Sequence, residues 1–125
     1  MNDKIKSFTD LVVWEKAHEL VLMIYKATED FPKEEMYGLT SQIRRAAVSI
    51  TSNIAEGFGR QSYSEKINFY FMARSSNIEL QNQLLVSKDV KYLEEKVFKD
   101  IANQSIKVHK LLNAFIKKSK SIRDS

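Results

Sequence analysis

Residues 39–59 read LTSQIRRAAVSITSNIAEGFG. Leu39, Ile43, Ala46, Ala47, Ile50, Ile54 and Phe58 recur at intervals of three and four, which gathers them on one face of an α-helix. The stretch is also rich in small residues (Ala46, Ala47, Ser49, Ser52, Ala55), so a neighbouring helix can approach closely. Gly57 and Gly59 can close it, because glycine adopts the left-handed cap at little cost. These features predict a helix from about Gly38 or Leu39 to Gly59.

Three more helices follow on either side. Upstream, Val13, Trp14, Ala17, Val21, Ile24, Tyr25 and Thr28 predict a helix from about Asp10 to Asp30, capped by Thr9 or Asp10. Phe31-Pro32 ends it, since a residue before proline avoids the helical region. Downstream, Ser62 and Glu65 have the spacing of a capping box, which predicts a third helix from about Tyr63 to Lys88. A fourth, from about Glu94 to Lys118, carries Val97, Ile101, Val108, Leu112 and Phe115 as its seam. Its acidic start and basic end suit the helix dipole. Residues 1–8 and 119–125 are polar and predicted to fray.

Three glycines and one proline in 125 residues leave little to interrupt these helices. Four helices of similar length with short connections predict a single all-α domain over residues 1–125, an antiparallel up-down-up-down four-helix bundle. The third helix has two apolar faces. Ile67, Phe71, Ile78 and Leu85 lie on one, and Phe69, Ala73, Leu80 and Leu84 lie nearly opposite. One bundle core consumes one stripe, so Phe69, Ala73, Leu80 and Leu84 are candidates for a subunit interface.

The absence of cysteine excludes a disulfide framework, a thiolate zinc site and a cysteine nucleophile. No signal peptide or membrane-spanning run is visible, and a cytoplasmic protein is expected. The net charge of +4 is unevenly placed. Residues 1–60 hold eight Lys/Arg against nine Asp/Glu, whereas residues 61–125 hold twelve against seven. No acid occurs between Ile101 and Arg123.

Phe31 to Arg60, FPKEEMYGLTSQIRRAAVSITSNIAEGFGR, is preceded by Asp10-Leu11-Val12-Val13-Trp14-Glu15-Lys16-Ala17 and followed by a helix beginning SEKINFYFMARSS. Together these resemble the four-helix-bundle proteins of 23S rRNA intervening sequences, and the related accessory variability proteins of diversity-generating retroelements. Thr51 stands where many members have proline. The resemblance implies a cytoplasmic bacterial bundle that assembles as a homopentamer with a central channel. For the retroelement relatives it implies binding of nucleic acid and a reverse transcriptase through basic surface.

Several constellations bear on function. Lys96, Lys99, Lys107, Lys110 and Lys117 fall within about a quarter-turn of the fourth helix, with Lys118 at its edge. Such a row can neutralise phosphates and release counterions, although most charged helix faces are simply solvated. Arg60, just past the second helix, could face the same partner. No aromatic interleaves with the lysines in sequence, so base stacking is not suggested. Arg45, Ser49, Ser52 and Glu56 form one column of the second helix. With Arg44 and Glu79 they could make a buried or interface polar network, a reading preferred to phosphate binding. Glu15 and His18 have a spacing that supplies half of a di-iron site, but the second pair is missing and no metal is expected. Neither a nucleophile with an adjacent base nor a nucleotide-binding loop is visible. The sequence therefore predicts a non-enzymatic, cofactor-free accessory protein that binds RNA, DNA or a nucleic-acid enzyme. The alternative is a purely structural bundle whose lysines only confer solubility.

Overall fold

A computed structural model describes residues 5–125. The described chain is all-helical, with α1 over Val12–Thr28, α2 over Leu39–Phe58, α3 over Tyr63–Asp89 and α4 over Glu95–Arg123. Each helix packs on its two neighbours in the cyclic order α1, α2, α3, α4. Contacts between neighbours run in opposite chain directions. Ser49 of α2 bonds Ser76 of α3 at 2.9 Å, while Gly57, further along α2, meets Tyr70, earlier on α3. Asn77 of α3 bonds Ser105 of α4, whereas Tyr70, earlier on α3, packs its ring at a tilt against Phe115, later on α4. The four helices form the bundle expected, with α3 running opposite to both α2 and α4.

The predicted helices are found, but several ends differ. Residues 1–4 of the N-terminal stretch expected to fray lie outside the described residues. Before α1, Phe8–Asp10 forms a short 3-10 turn rather than the first turn of an α-helix. Ser7 caps that turn, and the Asp10 carboxylate accepts the Ser7 N–H at 3.1 Å. The expected cap of α1 by Thr9 or Asp10 is therefore spent one turn earlier. Leu11, buried at the helix start, offers no side-chain cap.

Gly57 and Gly59 do not adopt left-handed backbone, and the positive φ in the described chain belongs to Lys91. The need for glycine at 57 is steric. A Cβ there would stand 2.7 Å from the Tyr70 ring and 2.9 Å from Phe69 Cβ, a clash where α2 and α3 cross. At the far end, α4 does not fray after Lys118. It continues to Arg123, with Ile116 and Ser119 buried and Ser119 Oγ donating to the Phe115 carbonyl.

The core runs the length of the bundle. Leu20, Ile24, Ile43, Ile50, Ile54, Leu80, Leu84, Ile101, Val108 and Leu112 are all essentially inaccessible. Burying a leucine or isoleucine stabilises by roughly 1.5–3 kcal/mol each. Ala73, Leu80 and Leu84 lie in this core, so they are unavailable to a second copy, and Phe69 is half-buried beneath Arg60. This corrects the interface assignment. Of the two apolar faces of α3, the one carrying Leu80 points inward. The opposite face is split: Ile67 is buried against Tyr70 and Ile116, whereas Ile78 and Leu85 are about half exposed.

A buried polar cluster joins α3 to α4 within the interior. Asn77 and Ser105, both fully buried, exchange two bonds: Asn77 Nδ2 donates to the Ser105 carbonyl and Ser105 Oγ donates to Asn77 Oδ1. Gln81 Nε2 donates to Ser105 Oγ at 3.0 Å. Such a satisfied cluster fixes the register of α3 on α4, because sliding by one turn would orphan each group.

Burial pushes the Tyr70 hydroxyl up to about 12, with Tyr63 nearby adding to the shift. The folded value lies above the unfolded one of about 10. Its contribution is therefore fully present below pH ~10 and lost as pH rises through about 12. Thermal melts between pH 8 and 12 should show the native protein losing stability above pH ~10, and Tyr70→Phe should lessen that alkaline decline.

Candidate nucleic-acid interface

α4 spans 29 residues, or roughly 43 Å at 1.5 Å per residue. It can be this long because no glycine or proline occurs in it and its seam residues Ile101, Ser105, Val108, Leu112, Ile116 and Ser119 keep helical spacing. Packing that seam inward turns the opposite side to water. Lys96, Lys99, Lys107, Lys110, Lys117 and Lys118 are all exposed.

They are not equivalent. Lys96 is held by Asp100 at 3.1 Å, an i,i+4 pair of the weak exposed kind. Among the described residues, no carboxylate lies within 4.0 Å of Lys99, Lys107, Lys110, Lys117 or Lys118. From Lys99 to Lys118 this row extends roughly 28 Å, the length of about eight base pairs of duplex at 3.4 Å each. Lys118 leans toward α1, lining a shallow cleft with Val12 and Ala114.

The antiparallel packing adds cations that sequence spacing alone did not assemble. The N-terminal half of α3 lies beside the C-terminal half of α4. There Arg74 donates to Asn113 at 3.0 Å. Its guanidinium lies 4.9 Å from the Phe71 ring centre, and Lys120 Nζ lies 5.0 Å from the same centre. Two cations therefore share one aromatic ring across the helix boundary, a favourable electrostatic arrangement. At the same end of the bundle Lys66 Nζ donates to the Phe58 carbonyl at 2.6 Å and sits near the Phe58 and Tyr63 rings. Burial pushes the Lys66 ammonium below its ordinary value. The Phe71–Arg74 spacing of three residues was a visible signal; the arrival of Lys120 from α4 was not.

Arg60 is less free than its place after α2 suggested. It pairs with Glu56 at 3.1 Å and its guanidinium covers the Phe69 ring at 4.5 Å. That pairing also breaks up the polar column expected on α2. Glu56 is taken by Arg60, and Ser49 bonds Ser76 and Asn53. Arg44 Nε donates to Thr28 Oγ1 of α1 at 2.8 Å, with its guanidinium 4.7 Å above the Tyr25 ring. Arg45 and Glu79 border one small cavity between α2 and α3, with Ser49, but no ion pair joins them. Ser52 lies exposed on the outer side of α2. The structure therefore brings Arg44, Arg45, Ser49 and Ser52 to one groove and not to one closed network.

His18 stacks on Trp14 at 4.6 Å with nearly parallel rings, and Glu15 lies by Lys16. Both are thus tied to organic neighbours. No group of three or more His, Cys, Asp or Glu side chains with metal-holding geometry occurs among the described residues. Among the described residues no helix is long and apolar enough to cross a membrane.

Four helices packed around one apolar core place the chain in the class of all-α four-helix-bundle proteins. Within that class, the chain belongs to the 23S rRNA-intervening sequence protein family, whose model matches residues 9–114. A crystal structure from Bacteroides thetaiotaomicron, a protein of unknown function from the S23 ribosomal protein family, is similar to it. The two are 28% identical with a TM-score of 0.79, over 85% of this chain and 96% of that one. None of the curated proteins matches this chain.

Proposed function

We propose that this protein is a non-enzymatic, ribosome-associated accessory protein that binds RNA through the outer face of α4. The observation that carries this reading is the row from Lys99 to Lys118, exposed and without a carboxylate partner among the described residues. Each lysine that meets a phosphate releases condensed counterion, and an uninterrupted row does so without competition from fixed acids. The Phe71 ring with Arg74 and Lys120 extends the same basic surface onto α3. Contacts of this kind position a backbone and carry little base readout.

Self-association belongs to the same proposal. Ile78 and Leu85 on α3 are each about half exposed. Apolar side chains so placed favour burial against another copy. The family resemblance gives five copies, and a ring would repeat the lysine row and raise affinity through avidity. Light scattering on a sizing column should give five times the mass of one chain, and a monomer at micromolar concentration would contradict the assembly.

Titration against structured RNA and duplex DNA at low and near-physiological salt tests the binding. Micromolar or tighter affinity that falls steeply with salt supports it. No binding at low salt would leave a protein-interaction module whose lysines serve solubility.

A further inference from the structure

A second cationic site lies on another side of the bundle. The cleft between the end of α1 and the first half of α2 has a volume of about 460 Å³ and is bordered by both Arg44 and Arg45. Among the described residues neither arginine has a carboxylate within 4.0 Å. Arg44 is fixed in advance. Its Nε is bound to Thr28 Oγ1, and its guanidinium rests on Tyr25. That leaves its two terminal nitrogens as the donors available to a ligand, the fork that suits an oxyanion.

The start of α2 supplies a second kind of donor. Its first turn contains no acid and its N-cap, Gly38, contributes no side chain. Among the described residues the N–H groups of Thr40 and Ser41 have no backbone acceptor. Thr40 lines the cleft at 6% exposure, and its Oγ1 is buried without a hydrogen-bond partner. Buried hydroxyls in native proteins are nearly always satisfied, so this one marks a place where an acceptor is missing. Neither Glu35 nor Glu79 supplies it. Glu35 is engaged with the Leu39 N–H and the Tyr92 hydroxyl. Glu79 borders a different cavity with Arg45 and forms no ion pair there.

We propose that this cleft binds a phosphate group through Arg44, Arg45 and the start of α2. Two guanidinium groups, free N–H groups and a hydroxyl outnumber what the two oxygens of a carboxylate accept. They match a phosphate, with three or more acceptor oxygens at a helix N-terminus. Met36 and Val48 give the cleft an apolar border, which suits a phosphate carried on an organic body such as a nucleotide or an RNA strand. This site stands apart from the α4 lysines and does not depend on them.

Calorimetric titration of the full chain with inorganic pyrophosphate, with AMP and with a short oligoribonucleotide tests it. Saturable pyrophosphate binding is expected, and Arg45→Gln should weaken it by at least about tenfold, the loss of one charge-assisted contact. Arg45 is exposed, so this variant should melt at the native temperature. Lys107→Gln with Lys110→Gln should leave pyrophosphate binding unchanged. If Arg45→Gln also weakens the oligonucleotide, the phosphate is that of RNA. If it weakens only pyrophosphate and AMP, the ligand is a small phosphorylated molecule. Absence of saturable binding to all three, or binding equal in the native protein and Arg45→Gln, would overturn the site.

Discussion

Leu80→Glu is expected to unfold the chain, not merely to separate its copies. Leu80 is completely buried at the centre of the bundle, in the cluster with Ala73, Leu84, Ile101 and Leu112. Truncating such a leucine to alanine costs about 2–5 kcal/mol. A carboxylate in the same place adds either an uncompensated charge or the proton uptake needed to neutralise it. Together these approach the whole stability of an ordinary domain, about 5–15 kcal/mol. Circular dichroism should show lost helicity at room temperature. Ile78→Glu and Leu85→Glu are the informative contrast, since both positions are about half exposed. These variants should keep their helical signal and, where the outer face of α3 meets another copy, lose mass in light scattering. A Leu80→Glu protein with native helicity and melting would contradict the inward orientation of that face.

Why the sequence pointed the other way at α3 is a matter of geometry. A helix with apolar residues on two sides has no strong amphipathic direction, and spacing alone does not say which side meets the core. The polar residues resolve it. Asn77, Gln83 and Ser87 are buried on α3, so the inward side is partly polar and reads from sequence as a surface. Only the partner Ser105 on α4 shows why Asn77 is tolerated there. Helices with one clear stripe were legible throughout: α2 with Ile43, Ile50 and Ile54, and α4 with Ile101, Val108 and Leu112, pack as their periods predict. Helix ends were less legible. The α4 extension to Arg123 depends on Ser119 being buried, which a polar sequence does not announce. The lysine row could be read along one helix because its members share a face of that helix. The Phe71 site could not, since it joins α3 and α4. Likewise the Arg44–Arg45 cleft needs Thr28 and Tyr25 from α1.

The second large effect concerns binding. Replacing Lys99, Lys107, Lys110 and Lys117 together by glutamine is expected to lower RNA affinity by about a thousandfold near 0.1 M salt. The estimate assumes one phosphate per lysine, each contributing somewhat under one log unit at that concentration. The fold should be untouched, because all four side chains are exposed and none forms an ion pair among the described residues. Lys96→Gln alone should have a smaller effect than any of the four singly, since Lys96 already shares its charge with Asp100. Filter binding with a single structured RNA, at matched protein stability, measures both. If the assembly is a ring, the fourfold variant alters every copy, and the loss grows because avidity multiplies each contact.

The most direct test of the account is the slope of log affinity against log salt for the native chain and for this fourfold variant, on the same RNA. The α4 reading predicts a steep negative slope for the native protein. The variant's slope should be shallower by about three to four for one copy engaged on duplex RNA, if RNA follows the increment of about 0.9 per phosphate found for B-DNA. Equal slopes for the two proteins would mean that α4 is a solvated face and that any nucleic acid is held elsewhere.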